Sequence, residues 1–243
     1  MDTASKKQVK LRGAEPHTVP LGGTGARVGL FLGILPRETK EALDFLSAQE
    51  WLKNSPWYLA GGTALALQAN HRRSIDLDFF SQEKNFENDN FLREFSGAKE
   101  WKVTMNRKNT IYGDLFKAKV SFIAYPFFVP KDKPKFYGSI RILSPRDIAV
   151  MKIIAVSQRG RKRDFFDLYW CAHNVEPFEK IIKRLKVQYP SVAHNYHHIL
   201  KALVYFEDAE SDPEPIIYFD ATWKKVKSFF TKEITVIADK IMR

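Results

Sequence analysis

Apolar residues recur at helical spacing over Arg37–Leu52, where Ala42, Leu43, Phe45, Leu46 and Trp51 fall to one side. That stretch is predicted to be an amphipathic helix. Pro56 ends its connection, and Trp57–Ala60 is a short apolar run predicted as a strand. Gly61-Gly62 makes a turn, and Thr63–Asn70, with Ala64, Leu65, Ala66 and Leu67, is predicted helical. The period then changes to two over Ser74–Phe80. Ile75, Leu77 and Phe79 should share one face of a strand, with Asp76, Asp78 and Phe80 on the other.

Further strands are predicted over Lys102–Asn106, Asp114–Tyr125 and Gly138–Ile142, after a modest helix over Asn85–Glu100. In the second of these strands Phe116, Ala118, Val120 and Phe122 alternate with Leu115, Lys117, Lys119 and Ser121. The segment from Pro126 to Pro134 breaks the pattern. Helices dominate thereafter: Arg146–Ser157 after the Ser144-Pro145 start signal, then Lys162–His173, Glu179–Gln188, Val192–Phe206 and Trp223–Ile241. The predicted fold is α/β, a small mixed sheet with flanking helices (residues 27–143) followed by a helical half (144–243). Residues 1–26 are polar and glycine-containing and read as a flexible leader. Gly22, Gly23 and Gly25 lack the Lys-Ser or Lys-Thr of a phosphate loop.

Composition narrows the function class. A net charge of +11 and a pI near 9.6 favour a polyanionic partner such as RNA, DNA or nucleotides, although a merely solvated basic surface has the same composition. The lone Cys171 rules out an intrachain disulfide, lies in an apolar helix pattern and suits a reducing, cytoplasmic compartment. No apolar run approaches the roughly 20 residues of a membrane helix. Val28–Leu35 is too short and has no cleavage site for a signal peptide.

The candidate chemistry lies in Trp57–Ser81. Asp76 and Asp78, two apart on a strand, leave the same face, and like charges so placed are costly unless a cation sits between them. Oxygen ligands of this kind suit Mg²⁺ or Mn²⁺. Gly61-Gly62 at a helix start offers backbone N–H groups to a phosphate. Arg72, Arg73 and Ser74 can add charge-assisted hydrogen bonds. Each part alone has a plainer reading, as a surface carboxylate pair or a simple turn; their joint occurrence in one short unit is what points to a site. His194, His197 and His198 lack a nearby Cys or carboxylate at ligand spacing and read as a polar helix face.

The wording LAGGTALAL…HRRSIDLDFF resembles the AbiEii/AbiGii toxin family of the nucleotidyltransferase superfamily, and SPRDIAVMKIIAVSQRGRKRDFFDLYW (Ser144–Trp170) resembles that family's second block. The resemblance implies that Gly61, Gly62 and Thr63 form the nucleotide-phosphate turn and that Asp76 and Asp78 bind the metal. It implies that Lys152 contacts the nucleotide phosphates and that Asp164, with Asp167 as companion, is a catalytic or orienting carboxylate. It further implies a nucleoside triphosphate substrate, an RNA or tRNA acceptor and a separately encoded antitoxin; the lack of a long apolar run predicts no membrane partner. Arg73 and Ser74 complete the expected nucleotide-binding set. One departure stands out: the superfamily's third carboxylate is expected on Leu115–Ala124, and its slot holds Ser121. The base is then unassigned, with Asp164 as a candidate. Rival readings are transfer to a protein hydroxyl and a non-catalytic nucleotide- or RNA-binding module.

Overall fold

The computed structural model describes residues 29–241, so the leader predicted for residues 1–26 lies outside the described residues. The elements in chain order are α1 (Arg37–Ser47), α2 (Glu50–Lys53), β1 (Trp57–Ala60), α3 (Gly61–Ala69), β2 (Leu77–Ser81), α4 (Asn88–Arg93), β3 (Trp101–Arg107), β4 (Thr110–Leu115) and β5 (Ala118–Ala124). They continue with β6 (Lys135–Tyr137), β7 (Ile140–Ile142), α5 (Pro145–Arg159), α6 (Lys162–Asn174), α7 (Phe178–Gln188), α8 (Tyr196–Ala202), α9 (Glu207–Glu210) and α10 (Trp223–Ile241).

The seven strands form one mixed sheet in the order β3-β4-β5-β2-β1-β7-β6, with β1–β7 and β2–β5 parallel and the other pairs antiparallel. Leu59, Phe79, Phe122 and Ile111 stand in register across four strands and point to one face. All four are fully buried. An aromatic cluster of Trp51, Trp57, Phe91, Phe95 and Trp101 packs around Phe122 there. The opposite face carries Asp78, Ser121 and Tyr112 in register.

Local signals explain the helices that position the site. Ala64 to Leu67 are all buried, as expected of a helix apolar on every side. α3 stops at Asn70 in the left-handed region (φ 49°). α5 has Ser144 as N-cap, its hydroxyl accepting from the Asp147 N–H at 3.0 Å, with Pro145 following. It ends at Gly160 (φ 51°), where a left-handed residue is needed.

Several expectations need correction. The helix predicted over Arg37–Leu52 divides into α1 and α2, and the one over Asn85–Glu100 shrinks to α4. β2 begins at Leu77, not Ser74, and Ile75 is half exposed instead of sharing the face of Leu77 and Phe79. The single strand over Asp114–Tyr125 is a hairpin, because Phe116 (φ 50°) and Lys117 (φ 69°) form a two-residue turn between the paired Leu115 and Ala118. Positive φ at both turn positions matches the right-handed twist of the flanking strands. α8 is shorter than predicted, and His194 precedes it. Cys171 is fully buried, as expected.

Candidate active site

The turn at Gly61-Gly62 requires glycine for two separate reasons. Gly61 has φ +72°, and a Cβ there would stand 3.0 Å from Asp78 Oδ2. A Cβ on Gly62 would lie 2.2 Å from Arg72 Nη2 and 3.0 Å from Ser74 Oγ. The backbone at the α3 N-terminus therefore comes up against the carboxylate and the guanidinium, with its first N–H groups free of intrahelical partners.

A cleft of about 240 Å³ opens at this point. Its polar floor is made by Gly61, Gly62, Ser74, Asp76 and Asp78, and its basic rim by Arg72, Lys152, Arg159 and Arg163. Phe80, Ile123, Tyr125, Ile148 and Met151 make an apolar wall. Both sheet residues and α5 residues thus line one cavity.

Asp76 and Asp78 both face it, as expected, although Asp76 lies just before β2. Ser121 sits in register with Asp78 and donates to Asp78 Oδ1 at 2.7 Å. Burial pushes the Asp78 carboxyl up from its ordinary range, and the Ser121 hydrogen bond opposes that while the charge of Asp76 adds to it. Arg163 Nη1 approaches Asp76 Oδ2 at 3.6 Å. Two carboxylates on an open floor, already drawing a cation, fit a divalent ion of the Mg²⁺ type that takes its remaining ligands from substrate phosphates and water. Among the described residues no group of three or more His, Cys, Asp or Glu is assembled around a metal position.

Behind the floor lies a buried charge network. Asp167 accepts from Arg72 Nε at 2.5 Å and from Arg72 Nη2 at 2.9 Å, a bidentate pair, and meets Lys152 Nζ at 2.7 Å. Lys152 also bonds Asp164, whose other oxygen takes Arg159 Nε at 3.3 Å. Burial alone would raise Asp167, yet Arg72 and Lys152 hold it well below the usual carboxylate range. Burial alone would lower the Lys152 amine, and Asp164 and Asp167 more than reverse that.

This geometry relocates several expected roles. Lys152 reaches the cleft edge, but its amine is anchored by two carboxylates. Asp164 is fully buried beneath Lys152 and Arg159 and does not line the cleft; its two oxygens are taken by these two cations. The Thr63 hydroxyl is buried and donates at 2.5 Å to the Asp76 carbonyl, which fixes the approach to the carboxylates rather than touching a ligand. Arg73 is exposed outside the cleft and its N–H bonds Ile216 O; the cleft arginine is its neighbour Arg72. Sequence reasoning also missed Arg163 as a partner of Asp76. Its only signal was membership of the basic run Arg159–Arg163.

A family model described as "Nucleotidyl transferase AbiEii toxin, Type IV TA system" matches residues 44–135 and 111–236. The chain belongs to this family. An uncharacterised protein of Aquifex aeolicus (strain VF5) is 33% identical over 209 residues, 82% of this chain and 96% of that protein. Among solved structures, JHP933 from Helicobacter pylori has a TM-score of 0.52 at 18% identity, over 86% of this chain and 95% of its own. MenT4, a nucleotidyltransferase toxin from Mycobacterium tuberculosis H37Rv, has a TM-score of 0.52 at 16% identity, over 84% and 86%. At these identities the two structures share the fold. The AbiEii chain is thus a nucleotidyltransferase of a toxin family, and none of its described helices is long and apolar enough to cross a membrane.

His71 of this AbiEii chain carries a pH dependence. Its Nε2 lies 2.7 Å from Asp167 Oδ1, its Nδ1 has no partner among the described residues, and burial lowers it below the ordinary histidine range. The native ring is neutral and donates through Nε2–H, while the unfolded ring takes a proton below about pH 6.5. The unfolded state therefore binds more protons, and stability falls as pH drops from about 6.5 toward the native value. In urea melts between pH 7 and 5, His71→Gln should flatten that decline, and an unchanged slope would refute the neutral buried ring.

Proposed function

We propose that the chain uses Mg²⁺ (or Mn²⁺) to move a nucleoside monophosphate from a nucleoside triphosphate to a hydroxyl of an RNA, tRNA in particular. It would act in the cytoplasm as the toxin partnered by a separately encoded antitoxin. The observation that carries this reading is the juxtaposition of Asp76 and Asp78 with the Gly61-Gly62 helix start, under the half-exposed Arg159 and Arg163.

Asp76 and Asp78 would hold the metal, which supplies charge neutralisation at the phosphates. The α3 N-terminus offers N–H donors and the positive end of a helix dipole to the same phosphates. Arg159 and Arg163, both half exposed, reach the negative charge that grows on the leaving group. The base lies on the apolar wall of Phe80, Ile148 and Met151. The acceptor oxygen attacks the α-phosphorus, the bond from that phosphorus to the bridging oxygen breaks, and pyrophosphate departs. Ser121 occupies the position of a third carboxylate and is committed to Asp78, so the hydroxyl proton passes to water in the open cleft.

The test is incubation with each α-labelled triphosphate plus total RNA or protein extract. Label in RNA supports this reading. Label in protein would replace the acceptor class, and binding without transfer would reduce the chain to a nucleotide-binding module.

A further inference from the structure

The sheet face that floors the cleft continues past it. Asp78, Ser121, Tyr112 and Met105 stand in one register row across β2, β5, β4 and β3. Tyr112 lines the cleft yet is exposed, and two strand spacings put its backbone about 10 Å from that of Asp78. Side chains two residues along each strand share this face. Arg107 is paired with Thr110, Lys102 with Asp114, and Lys119 with Asp114 from the other side. Lys102, Arg107 and Lys119 are all exposed, and none makes an ion pair with another described residue. The other face of these strands is closed by the aromatic core around Phe122.

We propose that the open face of β3, β4 and β5 is the docking surface for the single-stranded end of the RNA acceptor. The reacting hydroxyl enters over Asp78, the adjoining base stacks on Tyr112, and Lys102, Arg107 and Lys119 take phosphates on either side of it. An exposed aromatic with free cations on both sides of it, Lys102 and Lys119 flanking Asp114 on one side and Arg107 on the other, is an arrangement that holds single-stranded nucleic acid without reading its sequence. Charge also argues against the chain's own N-terminal residues as the occupant: residues 1–28 carry Lys6, Lys7, Lys10, Arg12 and Arg27 against Asp2 and Glu15, the same sign as the face. This inference rests on the RNA acceptor proposed above.

The experiment measures binding apart from chemistry. A fluorescent single-stranded RNA of mixed sequence is titrated with the full chain, without triphosphate, across a salt series. Removing three phosphate contacts in Lys102→Gln/Arg107→Gln/Lys119→Gln should lower the slope of log K against log salt by about 2. Tyr112→Ala should weaken binding roughly tenfold with little change in slope. Both variants should melt as the wild type does, since the altered side chains are exposed. Wild-type slope in the triple variant, or no RNA binding by the wild type, overturns the docking surface. If the wild type still labels RNA in either case, the transferase reading stands without it. If the slope falls as expected but no RNA is labelled, the docking surface stands and the transferase reading fails.

Discussion

Asp78→Asn should abolish measurable nucleotide transfer, a loss of at least about a thousandfold, or some 4 kcal/mol of barrier. The same variant should melt no lower than the wild type. The two expectations come from one cause. Asp78 is a half-buried carboxylate on the cleft floor beside Asp76, and partial burial together with that neighbour already disfavours its charge. Replacing it with a neutral amide of the same shape relieves that cost and keeps a partner for the Ser121 hydroxyl, whose geometry relative to Asp78 is set by the β2–β5 register. Function loses the anion that would hold the metal against the phosphates. Lost stability with retained transfer would mean that Asp78 is structural and that the metal assignment is wrong. Assay of label transfer beside a thermal melt separates these outcomes.

Asp167→Ala should cost about 3–5 kcal/mol of folding stability, the range found when one member of a buried ion pair is removed and its partner stays. Asp167 is fully buried and takes three bonds, two from Arg72 and one from His71, besides its contact with Lys152. Its removal leaves two buried cations with Asp164 as their main remaining counter-charge. Out of a total of about 5–15 kcal/mol, that is a severe loss. Urea unfolding of both proteins at pH 7 measures it. A loss below about 1 kcal/mol would show that the network is solvated rather than buried. The sign with pH is also fixed: the native carboxyl is depressed, so its contribution is full above about pH 4 and disappears as pH falls through the native value.

How much of this was legible in the sequence depended on local signals. Trp57–Ala60, the α3 run and the Ser144-Pro145 start of α5 announce themselves through apolar continuity and capping residues, and each is found nearly where expected. The pairing of Asp76 with Asp78 needed only a spacing of two. The hairpin at Phe116-Lys117 was hidden because neither residue is the glycine or asparagine that advertises positive φ. The inward phase is odd-numbered before the turn (Ile111, Gly113, Leu115) and even-numbered after it (Ala118, Val120, Phe122), but Phe116 in the turn extends the even apolar series backwards, so the alternation looked unbroken. β6 has only three residues and follows a proline-rich stretch, too little for a periodic signal. Asp164 and Asp167 were readable as neighbours on one helix face, but nothing local says that they face Lys152 from below. The choice of Arg72 over Arg73 likewise follows from a strand that starts three residues late, held by contacts from the far end of the chain.

Those far contacts bear on synthesis of the protein. The segment of His71 to Arg73 is strapped by two backbone bonds, Arg73 N–H to Ile216 O at 2.9 Å and Tyr218 N–H to His71 O at 2.8 Å. Every carboxylate and glycine of the cleft floor is translated before residue 82, yet the strap that fixes the adjoining segment is translated more than 130 residues later. A nascent chain lacks both bonds until Ile216 and Tyr218 have left the ribosome, and so does any fragment that ends before Ile216. The segment beside the cleft floor thus takes its shape from residues more than 130 positions further along the chain, so a cut anywhere between the two releases it.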